Sequence, residues 1–206
     1  MATPVSNAVS NRVLSEVIYP ASGTGLMIKR AALVALGIVA LAIAAKIRVP
    51  FWPVPVTMQT FVILALGAAY GMRLGVATVL GYLLIGALGF DVFTSSSAET
   101  NGLAYMMGGT GGYLVGFLLA AGVLGWLARR GWDRNMGTMA AAMVIGNAVI
   151  YVPGLLWLGY IYAEAKGWAT VLDWGLWPFL AGDALKLALA ALILPLAWRF
   201  VGDAKA

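Results

Sequence analysis

The chain has 206 residues, 62% of them hydrophobic and 10% charged, with a mean hydropathy of +0.92 and a net charge of +5. A soluble domain of this size cannot hide so much apolar surface, so lipid is the solvent for most of it. The absence of both cysteine and histidine excludes disulfides and thiol chemistry, and removes the commonest general base and metal ligand together.

Residues 1–28 are mostly polar or small, without a compact apolar stretch near Met1. They read as an N-terminal cytoplasmic segment rather than a signal peptide. Residues 29–206 read as one six-helix transmembrane domain. Six spans are predicted, at about 30–47, 57–71, 74–90, 112–128, 138–162 and 178–201, against the roughly 20 residues a bilayer requires, with the second short. The fold class is therefore an all-α membrane protein. With the N-terminus inside, Lys and Arg divide nine to three between inner and outer segments, which places both termini in the cytoplasm of a multi-pass protein of the cell membrane. The basic residues are dispersed at span ends, so no nucleic-acid partner is expected.

Span one carries Ala31-xxx-Ala35 and Ala40-xxx-Ala44, small residues four apart that form a groove for another helix of this chain or of a partner. The first outer connection has Pro50, Pro53 and Pro55 around Phe51, Trp52 and Val54. Its prolines stiffen the backbone towards polyproline II, presenting rigid apolar surfaces suited to an uncharged ring. Gln59 and Tyr82 follow as polar groups in the outer half. The connection from Asp91 to Gly111 is long and contains Asn101-Gly102 and Gly108-Gly109-Thr110-Gly111-Gly112. Such a loop is suited to close over a ligand, and it is no Walker motif, because no Gly-Lys-Ser/Thr follows. Asn147 and Pro153 lie within span five, the first a helix–helix hydrogen-bonding group by expectation and the second a kink.

Span six holds Asp183 and Lys186. A charge in hydrocarbon costs at least roughly 2.5–3.5 kcal/mol, and at i, i+3 the two lie on one face and partly neutralise each other. Asp183 is about five residues into the span, hence about 8 Å below the outer surface. An orienting ion pair and a ligand site are both consistent with this spacing. The polar and rigid groups gathered at the same outer face favour the site.

Four motifs in order carry a resemblance. They are Pro53-Val54-Pro55-Val56-Thr57-Met58-Gln59-Thr60, the run from Tyr82 to Phe93, Gly109-Thr110-Gly111-Gly112-Tyr113 through Phe117, and Ala181-Gly182-Asp183-Ala184-Leu185-Lys186. Together they resemble the biotin-transporter family BioY over nearly everything after residue 29. The resemblance implies a bundle like the S components of energy-coupling factor (ECF) transporters, which capture biotin from outside and work with a transmembrane coupling subunit and a pair of ABC-type ATPases. By motif it implies substrate contacts from Asp183, Lys186 and Asn101, although this loop is longer than usual in the family and has Gly109 where proline is frequent. Trp52, Val54, Gln59, Tyr82 and Tyr113 complete the expected lining, and Ala31 and Ala35 the expected docking surface. No cofactor or metal is expected. Biotin offers a planar ureido group, an apolar ring and a carboxylate. Either Asp183 and Lys186 take the ureido group, or Lys186 takes the carboxylate.

An enzyme is not expected: no serine lies inside a span and no histidine exists to activate one. The rival reading is a stand-alone secondary carrier for biotin or a related small polar metabolite, although no inverted repeat of spans is evident.

Overall fold

The computed structural model describes residues 11–18, 20–49, 54–96 and 100–203, and these are almost entirely helical. A short α1 (Leu14–Ile18) precedes α2 (Gly23–Lys46). Two-residue strands β1 (Arg48–Val49) and β2 (Val56–Thr57) pair antiparallel, with Arg48 opposite Thr57. Then come α3 (Gln59–Ala87), α4 (Gly102–Met106), α5 (Gly111–Arg129), α6 (Met136–Gly175) and α7 (Trp177–Asp203). Among the described residues α2, α3, α5 and the continuous run from Met136 to Gly202 are each long and apolar enough to cross a membrane. The chain is an all-α membrane protein.

Two glycines turn long helices into separate arms. Gly71 has φ 78° and ψ 168°, a conformation that only glycine adopts without strain. It folds α3 into arms 59–70 and 72–87, where the sequence predicts two spans and a tight connection at Met72-Arg73. Gly167, at φ 79°, bends α6 after the predicted fifth span. The segment beyond it is helical rather than an open loop: Val171 is fully buried, and Trp168 packs on Gly159.

The N-terminal region also departs from expectation. The boundary drawn at residues 28/29 falls inside α2, which begins at Gly23, and Val13, Leu14 and Val17 belong to the core. Arg129 donates to Glu16 at 2.7 Å and to the Asn11 carbonyl at 3.0 Å, holding α1 against the end of α5. A predominantly polar stretch therefore still packs, because a few apolar side chains suffice once a salt bridge fixes their approach.

Helix α5 is the centre of the bundle, packed on α3 and on α6. Its glycines permit backbone contact: a Cβ on Gly116 would stand 2.7 Å from the Ile150 Cα, and one on Gly67 of α3 would stand 2.8 Å from the Ala121 carbonyl. In lipid, where hydrophobic burial adds little between helices, such close packing supplies the attraction. By contrast α2 is mostly exposed, with Met27, Ile28, Leu36 and Val39 directed outward, as expected of a lipid-facing helix.

Candidate functional site

The starts of α3 and α5, the middle of α6 and the N-terminal part of α7 converge beside Val54, Pro55 and Thr57 and beside Thr94, Tyr105 and Thr110. Asp183 and Lys186 project from α7 into this convergence, each 5% exposed, with Lys186 Nζ donating to Asp183 Oδ1 at 3.0 Å. Thr60 of α3 joins them: its hydroxyl accepts from Lys186 at 2.9 Å and lies 3.4 Å from Asp183 Oδ1. The Tyr151 hydroxyl of α6 donates to Asp183 Oδ2. A carboxylate buried this deeply needs several donors, and Asp183 has three from three different elements.

A recess lies against this cluster. Its enclosed volume is about 40 Å³, or about 490 Å³ when the spaces between lining atoms and the open mouth are included. Lys186, Thr60, Gln59 and Tyr151 supply its polar wall, and Tyr113, Phe117, Ile150, Phe179 and Val54 its apolar wall. Tyr113 and Phe179 lie nearly parallel, with centroids 6.3 Å apart, and Tyr151 meets Tyr113 edge to face at 6.4 Å. Tyr113 is held by donating to the Gly175 carbonyl at 2.8 Å. Thr94 and Thr110 close the loop side, and the buried Thr94 hydroxyl has no hydrogen-bond partner among the described residues. An unsatisfied buried hydroxyl on a cavity wall is a place where a ligand atom gains a hydrogen bond at no competing loss.

The chain matches the BioY family over residues 14–203. It belongs to that family. A probable biotin transporter BioY of Pyrococcus horikoshii is 34% identical over 165 residues, 80% of this chain and 93% of that protein. The biotin transporters BioY of Thermotoga maritima and Rhizobium etli are each 34% identical, over 73% and 79% of this chain and 85% and 87% of theirs. The fold is also that of a solved S-component for biotin from an ECF-type ABC transporter: TM-score 0.71, 22% identity, 87% of this chain and 95% of that one covered.

In this BioY chain four of the candidates from the sequence, Lys186, Gln59, Val54 and Tyr113, line the recess. Asp183 does not line it directly. It stands behind the wall and holds Lys186, Thr60 and Tyr151 in place. Tyr82 is likewise one layer back: it accepts from Gln59 Nε2 at 2.7 Å and donates to the Val92 carbonyl at 2.9 Å. It is fully buried against Phe93, which stacks on Tyr105 at 4.9 Å. Asn101 is outside the lining, at the N-terminus of α4 with its Oδ1 near Gly89. Asn147 also lies outside the lining. Trp52, with Phe51, lies outside the described residues. Ala31 and Ala35 are exposed on α2, whereas Ala44 is buried. Thr60, Tyr151, Phe179 and Thr94 carried no signal in the sequence, because single threonines and aromatics are ordinary in spans and loops.

The loop over the recess is tied down at its outer edge. Lys46 donates to Asp91 at 2.6 Å and to the Phe93 carbonyl at 2.8 Å, and Arg48 donates to Ser95. The hydrogen bond from Lys46, joined by one from Ser96, holds the exposed Asp91 carboxyl below the usual carboxylate range.

Proposed function

We propose that this chain is a biotin-uptake protein, the high-affinity substrate-binding component of an ECF-type transporter. The observation that carries the reading is a neutral Lys186–Asp183–Thr60–Tyr151 cluster facing a recess whose other walls are aromatic and aliphatic. A cation already paired at 3.0 Å matches a neutral, strongly dipolar urea better than a second carboxylate, which would leave excess negative charge in a low-dielectric site. Lys186 donates to the ureido oxygen, and Gln59 and Asp183, the latter on release of Tyr151, accept ureido N–H. Tyr113, Phe179 and Val54, together with Trp52, cover the rings. The carboxylate points to the mouth, towards Thr94, with Asn101 and loop amides beyond it. Ligand pockets measure about 300–1,000 Å³, so the enclosed 40 Å³ widens when the ligand enters.

The six helical arms cross the cell membrane with both termini inside, consistent with the nine-to-three division of basic residues. Capture is then from the outer side. Transport relies on a transmembrane coupling subunit, docked at the exposed Ala31–Ala35 face of α2, and on ABC-type ATPases.

The test is a titration of purified chain with biotin and with its neutral amide, in wild type and Lys186→Ala. Tight binding of both ligands, each lost on substitution, supports the ureido pose. Loss of Lys186 dependence for the amide alone assigns Lys186 to the carboxylate. Absence of biotin binding by wild type rejects the reading. Uptake measured with and without a coupling module in the same membrane separates it from a stand-alone carrier, which would accumulate biotin alone.

A further inference from the structure

Two hollows meet at the far end of the 59–70 arm from the Asp183 cluster. One is an apolar groove of about 770 Å³ along α1 and α2, with Leu14, Ile18, Ile28, Ala32 and Ala69 in its walls. The other is a polar cup of about 620 Å³ containing Lys29, Arg30, Arg73 and Arg129, with Glu16 the single acidic residue in its lining. Ser15, Lys29, Leu33 and Tyr70 line both, so the two are continuous. Trp126 stands on the cup, 49% exposed, with the Arg130 guanidinium 3.3 Å above its ring. An exposed indole of this kind marks the depth of the lipid headgroups.

We propose that this hollow binds one anionic phospholipid, its phosphate in the cup and an acyl chain along the groove. The apolar groove on a lipid-facing helix takes hydrocarbon, while four cations against one carboxylate call for an anion. Arg129 is engaged with Glu16 and Asn11 and Lys29 donates to the Ser15 carbonyl, which leaves Arg30 and Arg73, both exposed, as the principal phosphate contacts. A soluble phosphate satisfies the cup and not the groove, and a zwitterionic lipid satisfies the groove and not the excess charge. Basic pockets between helices at the headgroup level are suited to anionic headgroups. Neither Ala31 nor Ala35 lines the hollow, and the proposal stands independently of the biotin reading.

The experiment is native mass spectrometry of the full chain in detergent, titrated with phosphatidylglycerol and with phosphatidylcholine of the same acyl chains. One phosphatidylglycerol should bind about 30-fold more tightly than phosphatidylcholine, from about a five- to sixfold gain at each of Arg30 and Arg73. The double variant Arg30→Gln/Arg73→Gln should reduce phosphatidylglycerol to the phosphatidylcholine level. Ala32→Trp should weaken both lipids by obstructing the groove, and millimolar inorganic phosphate should not displace the bound lipid. Thermal unfolding and biotin binding report that the variants are folded. Equal binding of the two lipids overturns the proposal, as does undiminished phosphatidylglycerol binding in the double variant. Displacement by inorganic phosphate would make the cup a simple anion site, and a co-purifying acidic protein seated there in place of lipid would make it a docking face. Either result rejects the lipid.

Discussion

Two carboxylates are buried among the described residues, and they are held in different ways. Asp183 is 5% exposed and receives Lys186, Thr60 and Tyr151, so its charge is neutralised by a cation and its lone pairs are occupied. Asp133, in the turn between α5 and α6, is 1% exposed and accepts at 2.6 Å from the Trp198 indole, while its Oδ1 has no hydrogen-bond partner among the described residues. The neighbouring Arg134 guanidinium lies over the Trp198 ring, 4.4 Å from its centre. Burial accordingly pushes the Asp133 carboxyl up to about 6. Burial of an acid does not by itself make a ligand site. What distinguishes Asp183 is a paired cation that faces a recess, whereas Asp133 ties a turn to α7.

The largest effect should come from Lys186→Ala. It strands Asp183 as an unpaired buried charge, which costs about 3–5 kcal/mol of stability, and it removes a charged hydrogen bond worth about 1.5–3 kcal/mol, or roughly 10- to 150-fold in biotin affinity. Thermal unfolding and calorimetric titration read the two consequences separately. Asp183→Asn should weaken biotin binding at least about tenfold, by loosening Lys186 and Tyr151. Unchanged affinity in a folded variant would make the pair an orienting device only and dissolve the contrast with Asp133.

Asp133 should show its difference in pH dependence. Its folded value lies above the ordinary 3.8, so the stability it contributes is complete below about 3.8 and is lost as pH rises through about 6. Wild type should therefore lose up to roughly 2–3 kcal/mol across that window. Asp133→Asn should flatten this part of the profile and change biotin affinity less than about twofold, because the side chain is remote from the recess. A large affinity loss would show that the two ends are coupled. The smallest effect is expected from Asp91→Asn on the exposed Lys46–Asp91 bridge, within about 0.5 kcal/mol of stability. Any faster biotin association in that variant would show the tie restraining the loop.

Much of the fold is legible locally. Apolar runs of span length, the basic residues at their ends and the Met72-Arg73 connection all depend on neighbours in sequence, and the helices stand close to where these place them. The 163–177 segment was less legible, because its helical packing on Gly159 depends on a bend at Gly167. The site is legible in its charged members, since a charge in hydrocarbon is conspicuous wherever it falls. Gln59 lines the recess, whereas Tyr82 accepts from Gln59 from behind, because polarity alone does not tell an inner layer from an outer one. Thr94 illustrates the remaining gap: only coordinates reveal that a hydroxyl has no partner.

By itself the amino-acid sequence determined the lipid solvent, the helical class and the placing of Asp183 and Lys186 on one helix face. These follow from composition and from the repeat of a single helix. Tertiary structure alone decided that Thr60, 123 residues from Asp183, and Tyr151, 32 residues away, close around that carboxylate. It also decided that Asp133 is buried against the Trp198 indole. The rotation and depth at which α3, α6 and α7 pack select those partners, and that geometry arises from contacts among all the helices together.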